Sequence, residues 1–286
     1  MVGESADAVV VVGPVSWNTI VQVPRLPDAR PQALFAGESW ATLGGTSAGK
    51  ALHLADLGVS VTLSTVIGAD AEAELILAAL SDRRIRLLAE RVVGGSERHL
   101  NLMADGDRLS IYLTLPSTPA GPLPPATRTA IEQARHVVLD LSVRTQAAIP
   151  FALSSAATVW TDLHDYDGES TFHQPFLDAA DIVFMSNDAV PDPRVLMTRM
   201  IAAGKRLVVC TLGAEGAIAL DGDDWHHLDA APAAVIDPNG AGDAFLAGFL
   251  SATLAGGTVL EALRAGAAQA VKALGSRHLS PLLGED

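Results

Sequence analysis

The chain has 286 residues, 49% of them hydrophobic and 18% charged, enough to bury a large core at the upper end of what one domain holds. A formal net charge of −14 counts against nucleic acid as a partner, because phosphate binding needs a basic footprint. The one cysteine, Cys210, rules out a disulfide within the chain and, closing Leu207-Val208-Val209, reads as a small buried hydrophobe. The opening Met1 to Asp7 is acidic, Val9 to Val12 is too short for a signal-peptide core, and Ala244 to Ala255 is shorter than a membrane span. No membrane contact and a cytoplasmic location are therefore expected.

Taken in order, short Val/Ile/Leu-rich runs at 8–12, 60–67, 136–141, 158–161, 182–185 and 206–211 predict strands. Between and after them, patterns at about 47–57, 71–81, 124–134, 171–179, 191–203, 241–255 and 258–274 predict helices. Strands that are apolar on both faces imply a mainly parallel sheet sandwiched by helices. Two regions, Thr19 to Leu43 and Val92 to Leu115, break the rhythm, the second with Leu100, Leu102, Ser110, Tyr112 and Thr114 in loose alternation. The Pro-rich stretch Pro116 to Pro125 runs into Ala126-Thr127-Arg128, a helix start, and reads as a return to the core rather than a domain boundary.

Residues 237–245, Asp-Pro-Asn-Gly-Ala-Gly-Asp-Ala-Phe, carry the chemistry. Gly240, Ala241 and Gly242 let backbone approach a ligand, and the apolar run from Ala244 to Leu250 predicts a buried helix whose first N–H groups form an anion site. Asp243 would repel an anion there unless a base is needed, and the combination points to phosphoryl transfer to a hydroxyl. The plainer alternative is an acidic residue in a helix's first turn, favoured by the macrodipole.

This nonapeptide resembles the C-terminal signature of the ribokinase-like (PfkB) carbohydrate kinase family. Other segments resemble that family in its order: Val9 to Gly13, Gly44-Gly45 with Ala51, Leu54, Ala55, Leu57 and Gly58, Val66 to Asp70, Met185 to Asp188, and Thr211 to Gly216. The resemblance implies one ribokinase-like domain over 1–286, a three-layer α/β/α sandwich with a small β lid from about 19–43 and 92–115. It implies an ATP-dependent kinase acting on a hydroxymethyl group of a sugar or sugar derivative, with Mg²⁺. Asp243 would be the general base and the N–H groups of Asn239, Gly240, Ala241 and Gly242 the anion hole. Thr211, Gly213, Gly216, Asn187 and Asn239 would lie along the nucleotide, with Asp188 near Mg²⁺ through water. Ser16, Asn18, Gly44, Gly45 and Gly49 would lie at the acceptor. Asp237 matches a residue that helps bind a monovalent cation in many members, which raises K⁺ dependence. Pairing through the lid as a homodimer is implied on the same ground.

Several positions depart from the family pattern. Val190 stands where a Glu often organises metal-bound water, Asn18 where an Asp grips sugar hydroxyls, and Gly49 where an Asn is common. His53, Asn101, Trp17, Trp40, His99 and Tyr112 are further candidates for acceptor contacts. Alternatives are a nucleoside kinase of the same fold and a catalytically weak sugar- or nucleotide-binding relative. A different motif, Gly44 to Lys50, fits a phosphate loop, but Ala51 stands where that loop needs Ser or Thr for Mg²⁺.

Overall fold

A computed structural model of the chain describes residues 9–104 and 107–284. The acidic segment 1–7 and residue 8 of the expected strand 8–12 lie outside the described residues, as do 105–106 within the expected lid and 285–286. The first half runs β1 (Val9–Val12), β2 (Ser16–Gln22), β3 (Glu38–Gly44), α1 (Thr46–Asp56), β4 (Val61–Ile67), α2 (Ala71–Ala79), β5 (Ile85–Arg91), β6 (Glu97–Ala104) and β7 (Asp107–Thr114). It continues with α3 (Pro125–Gln133), β8 (His136–Asp140), α4 (Val143–Gln146), α5 (Ile149–Ser154), β9 (Thr158–Asp162), α6 (Gln174–Ala179), β10 (Ile182–Ser186) and α7 (Arg194–Ala202). β11 (Leu207–Thr211), β12 (Ala217–Asp221), β13 (Asp224–Leu228), α8 (Ala241–Leu254) and α9 (Val259–Leu274) complete the chain.

Nine strands form one sheet in the order β13-β12-β11-β10-β9-β8-β1-β4-β5, parallel except where β12 joins β11 and β13. Period-two alternation divides each central strand between two cores. Val9 and Val11 face a core shared with α1, α2, α8 and α9, whereas Val10 and Val12 face one shared with α3, α5, α6 and α7. Three layers result, and both faces of the sheet are covered. Helix starts follow local chemistry: the Asp70 carboxylate accepts from the Ala73 N–H at α2, and Thr258 with Glu261 forms a capping box at α9.

A second sheet, β3-β2-β6-β7, pairs β2 with β6 in parallel and its other neighbours antiparallel. It begins earlier than residue 19: only Gly13, Pro14 and Val15 separate β1 from Ser16, which already pairs with Gly44 and Glu97. Asn18 therefore stands in mid-strand opposite Thr42 and His99, rather than in a turn leaving β1. Sequence periodicity also leaves out β5, the short helices α4 and α5, and the β12–β13 hairpin.

α8 is held in place by two glycines at its crossing with α9. A Cβ on Gly248 would meet the Ala265 carbonyl oxygen at 2.5 Å, and one on Gly266 the Phe245 carbonyl oxygen at 2.8 Å, so the backbones touch where any side chain would separate them. With Phe245, Leu246 and Phe249 packed into the core, the first turn of α8 is fixed in position.

Candidate active site

A cavity of about 1490 Å³ lies between the carboxyl ends of the large sheet's strands and the second sheet. It exceeds the roughly 300–1,000 Å³ of a single-ligand pocket and has room for two small molecules. The motif residues Thr211, Gly213, Gly216, Asn187 and Asp188 line it together with Asn239 to Asp243, as do Asn18, Gly44, Gly45 and Asp237. Ser16 and Gly49 do not line it. Ser16 is buried behind Gly44, and Gly49 is a buried residue of α1 packed on Asp243.

The loop before α8 is shaped by Asp237, whose Oδ1 accepts from the Asn239 N–H at 2.8 Å and from Asn239 Nδ2 at 2.7 Å. Burial pushes the Asp237 carboxyl up, and the two bonds from Asn239 pull part of the way back. Gly240 caps α8 in the left-handed region at φ 80°, which a side chain would strain. No acceptor for the N–H groups of Gly242 and Asp243 is found among the described residues, and they form the open first turn of a 14-residue helix. From β7, Arg108 Nη1 donates to Asn239 Oδ1 at 2.7 Å and ties the second sheet to this loop.

Asp243 is buried beside Lys50, a side chain fully enclosed in the core. Lys50 Nζ lies 2.8 Å from Asp243 Oδ1, 3.0 Å from Asp140 Oδ1 and 3.2 Å from Asp162 Oδ2. It also donates to Thr46 Oγ1, which in turn donates to Asp243 Oδ1. Ser47 Oγ donates to Asp140 Oδ2 at 2.6 Å. Burial works against the Lys50 ammonium, but the three carboxylates outweigh it and hold its pKa above the usual lysine range. Burial raises the Asp140 carboxyl despite Lys50 and Ser47. At Asp162 burial is overcome by His164 and Lys50, and the group is held at about 2. With Nζ engaged in this way, Lys50 is not the lysine of a phosphate loop.

The second sheet turns a polar face to the cavity: Asn18, Thr42, His99, Asn101, Ser110 and Tyr112. Asn18 Oδ1 and Asn101 Oδ1 are buried and have no hydrogen-bond partner among the described residues. Gly44 makes room for Asn18, whose Nδ2 would lie 2.1 Å from a Cβ there. The His99 and Tyr112 rings approach to 4.1 Å between centroids. His53, Trp17 and Trp40 stand elsewhere. His53 Nε2 donates to the Leu279 carbonyl oxygen and its Nδ1 accepts from Gln269, Trp40 Nε1 donates to the Arg277 carbonyl oxygen, and Trp17 packs on the core. Val190 also packs on the core and offers no carboxylate. Asp140 and Asp162 escaped the motif reading, although each closes an apolar run, Val-Val-Leu-Asp and Val-Trp-Thr-Asp, at the sheet edge where ligands gather.

Residues 175–282 match the model of the pfkB family carbohydrate kinases. The chain is 34% identical over 266 residues to an acarbose 7(IV)-phosphotransferase of Actinoplanes sp., covering 91% of this chain and 89% of the relative. Among solved structures, a microbiome-derived acarbose kinase superposes with a TM-score of 0.83 at 33% identity, over 94% of this chain and 92% of that one. The ribokinase of Arabidopsis thaliana, with ribose and ATP bound, shares the fold at a TM-score of 0.77 and 22% identity, over 98% and 100% of the two chains. Phosphoryl transfer from ATP, with Mg²⁺, to an alcohol group of a small-molecule sugar is the activity this family implies. On the strength of its full-length relative and of the matched segment containing the Asp237 to Phe245 loop, the chain belongs to the pfkB family of carbohydrate kinases.

Proposed function

We propose that the chain phosphorylates a hydroxymethyl group of a sugar derivative, with Asp243 as general base and, of the 239–242 backbone, the N–H groups of Gly240 and Gly242 as the anion hole, since that of Asn239 is spent on Asp237 and that of Ala241 on Pro238. The observation that carries this is Asp243 at the open N-terminal turn of α8, facing a cavity large enough for donor and acceptor together. Asp243 Oδ1 is held by Thr46 and Lys50, while Oδ2 accepts no hydrogen bond from the described residues and is free for the acceptor. In the transfer, Oδ2 takes the proton of the acceptor hydroxyl as that oxygen attacks the γ-phosphorus and the bond to the bridging oxygen breaks to release ADP, and the N–H groups at the start of α8 receive the charge on the phosphoryl oxygens. Thr211, Gly213 and Gly216 line the cavity as the nucleotide wall. Among the described residues no group of three His, Cys, Asp or Glu side chains is arranged to hold a metal ion, so Mg²⁺ would be held mainly by nucleotide phosphates, with Asn187 and Asp188 reaching its water shell.

The acceptor fits best as something other than plain ribose. Asn18 and Asn101 line the cavity, and an amide can both accept and donate, where a carboxylate only accepts, so it suits a ring or bridging heteroatom as well as a hydroxyl. Two relatives above 30% identity are named for acarbose, and the cavity volume leaves room for an acceptor larger than a single sugar ring. The second sheet is then a lid, its inner polar face on the acceptor. Its outer face carries Leu109, Ile111 and Leu113, exposed at 39%, 40% and 48%, alternating with the cavity-lining Arg108, Ser110 and Tyr112. Such an apolar strip on an edge strand fits a homodimer formed through the lids. A monovalent cation beside the buried Asp237 carboxylate would stabilise its ionised form.

Four outcomes test this reading. Asp243→Asn lowers kcat by about 10²–10⁴-fold with the KM for ATP nearly unchanged, and near-normal turnover removes Asp243 from its role. Asn18→Asp adds charge-assisted bonds to paired hydroxyls, worth about 1–3 kcal/mol, and raises kcat/KM for ribose relative to acarbose; an unchanged ranking contradicts the account of Asn18. Sedimentation of Ile111→Lys gives monomer where the unaltered chain gives dimer, and identical behaviour of the two rejects the lid interface. Activity in KCl exceeds that in NaCl at equal ionic strength; equal rates reject a K⁺ site at Asp237.

A further inference from the structure

Asp140 and Asp162 are directly opposed on the adjacent parallel strands β8 and β9. Like charges in that position repel, and here both carboxylates are buried. Asp243 adds a third from the first turn of α8, and the one cation among them is Lys50, from α1. Replacing a buried ion pair with apolar side chains is often neutral or stabilising, so the cluster has no clear advantage as a device for stability alone. Its geometry instead converges on one atom. Thr46 and Lys50, one helical turn apart on the same face of α1, both reach Asp243 Oδ1. Between them in sequence, Gly49 leaves the gap that the Asp243 carboxylate fills: a Cβ there would sit 2.8 Å from Oδ2.

We infer that Lys50 is a positioning residue for the reaction, its ammonium fixing Asp243 Oδ1 together with Thr46 so that Oδ2 alone meets the acceptor; this rests on Asp243 being the base. The groups facing Asp243 are Thr46, Ser47, Gly49 and Lys50 from α1, Asp140 from β8, and Asp162 from β9 with His164 beside it, 3.6 Å from Nδ1 to Oδ2. His164 lies on the far side of Asp162 and Ser47 is spent on Asp140, which leaves Lys50 as the cation in contact with Asp243. Without it, Asp243 faces two buried carboxylates and is the most accessible of the three, with 12% of its side chain exposed.

The test sets kcat against KM in Lys50→Met combined with Asp140→Asn, which removes the ammonium together with one opposing carboxylate and so limits the unpaired charge left in the core. Turnover is expected to fall about tenfold, because an Asp243 carboxylate released at Oδ1 turns away from the acceptor. The KM for ATP is expected to stay within about threefold, which a misfolded or phosphate-binding lysine variant would not preserve. Thr46→Val, which removes only the second donor to Oδ1, is expected to lower kcat by less with the KM for ATP again kept, and it supplies the readout if the double variant fails to fold. An unchanged kcat in the folded variants, or a loss carried by the KM for ATP, overturns the inference. If Asp243→Asn is itself nearly as active as the unaltered chain, the general-base reading fails first, and the two failures are thereby told apart.

Discussion

One ammonium sits where α1, α8 and the ends of β8 and β9 meet, and the three carboxylates around it could not be packed there without it. The constraint runs through four elements far apart in sequence. β8 and β9 must be in register for Asp140 to lie beside Asp162, α1 must start at Gly45 for Thr46 and Lys50 to share a face, and α8 must approach closely enough for Asp243 to reach them. The close approach in turn requires Gly49 against the carboxylate and Gly248 and Gly266 at the crossing with α9. A buried charge cluster in which one ammonium meets three acids is costly, and it is located beside the open turn of a helix, where the proposed chemistry needs an oxygen fixed in place.

The chain's strongly acidic balance raises a problem for an enzyme that must hold a polyanionic nucleotide. Of the cations lining the cavity, Arg108 donates to Asn239 and Arg144 pairs with Glu90 at 2.9 Å, so free positive side chains are scarce. On the proposed reading, backbone N–H groups answer that need: the open first turn of α8 presents donors that carry no counter-ion and need no reorganisation. Mg²⁺ supplies the remaining positive charge with the nucleotide. The second sheet complements this with neutral amides and hydroxyls, suited to sugar hydroxyl groups rather than to phosphate.

How much of this is legible in the sequence depends on the kind of signal. Six fully apolar runs give the central strands almost to the residue, because burial on both faces leaves no other reading for Val9 to Val12 or Leu207 to Cys210. The nonapeptide around Asp243 identifies the family because glycines and an acid at a helix start are rarely combined. β5, Ile85–Arg91, was illegible since an edge strand with one half-exposed face mixes Arg, Ala and Glu with its leucines. The β12–β13 hairpin and the helices α4 and α5 are too short for a period to emerge. The second sheet starts at Ser16 rather than about residue 19, because three residues suffice to pass from one sheet to the other and nothing local marks where pairing begins. The role of Lys50 lay beyond reach for a different reason: its partners are 90, 112 and 193 residues away in sequence, and only strand register and helix packing bring them together.

The most direct test of the account is a crystal structure with a non-hydrolysable ATP analogue and a sugar acceptor bound together. The account predicts the acceptor hydroxyl within about 3.2 Å of Asp243 Oδ2 and in line with the terminal phosphate. Lys50 Nζ should remain on Oδ1 and the phosphate oxygens on the N–H groups at the start of α8. An acceptor hydroxyl bound away from Asp243, or Lys50 drawn out of the carboxylate cluster onto a phosphate, would contradict it.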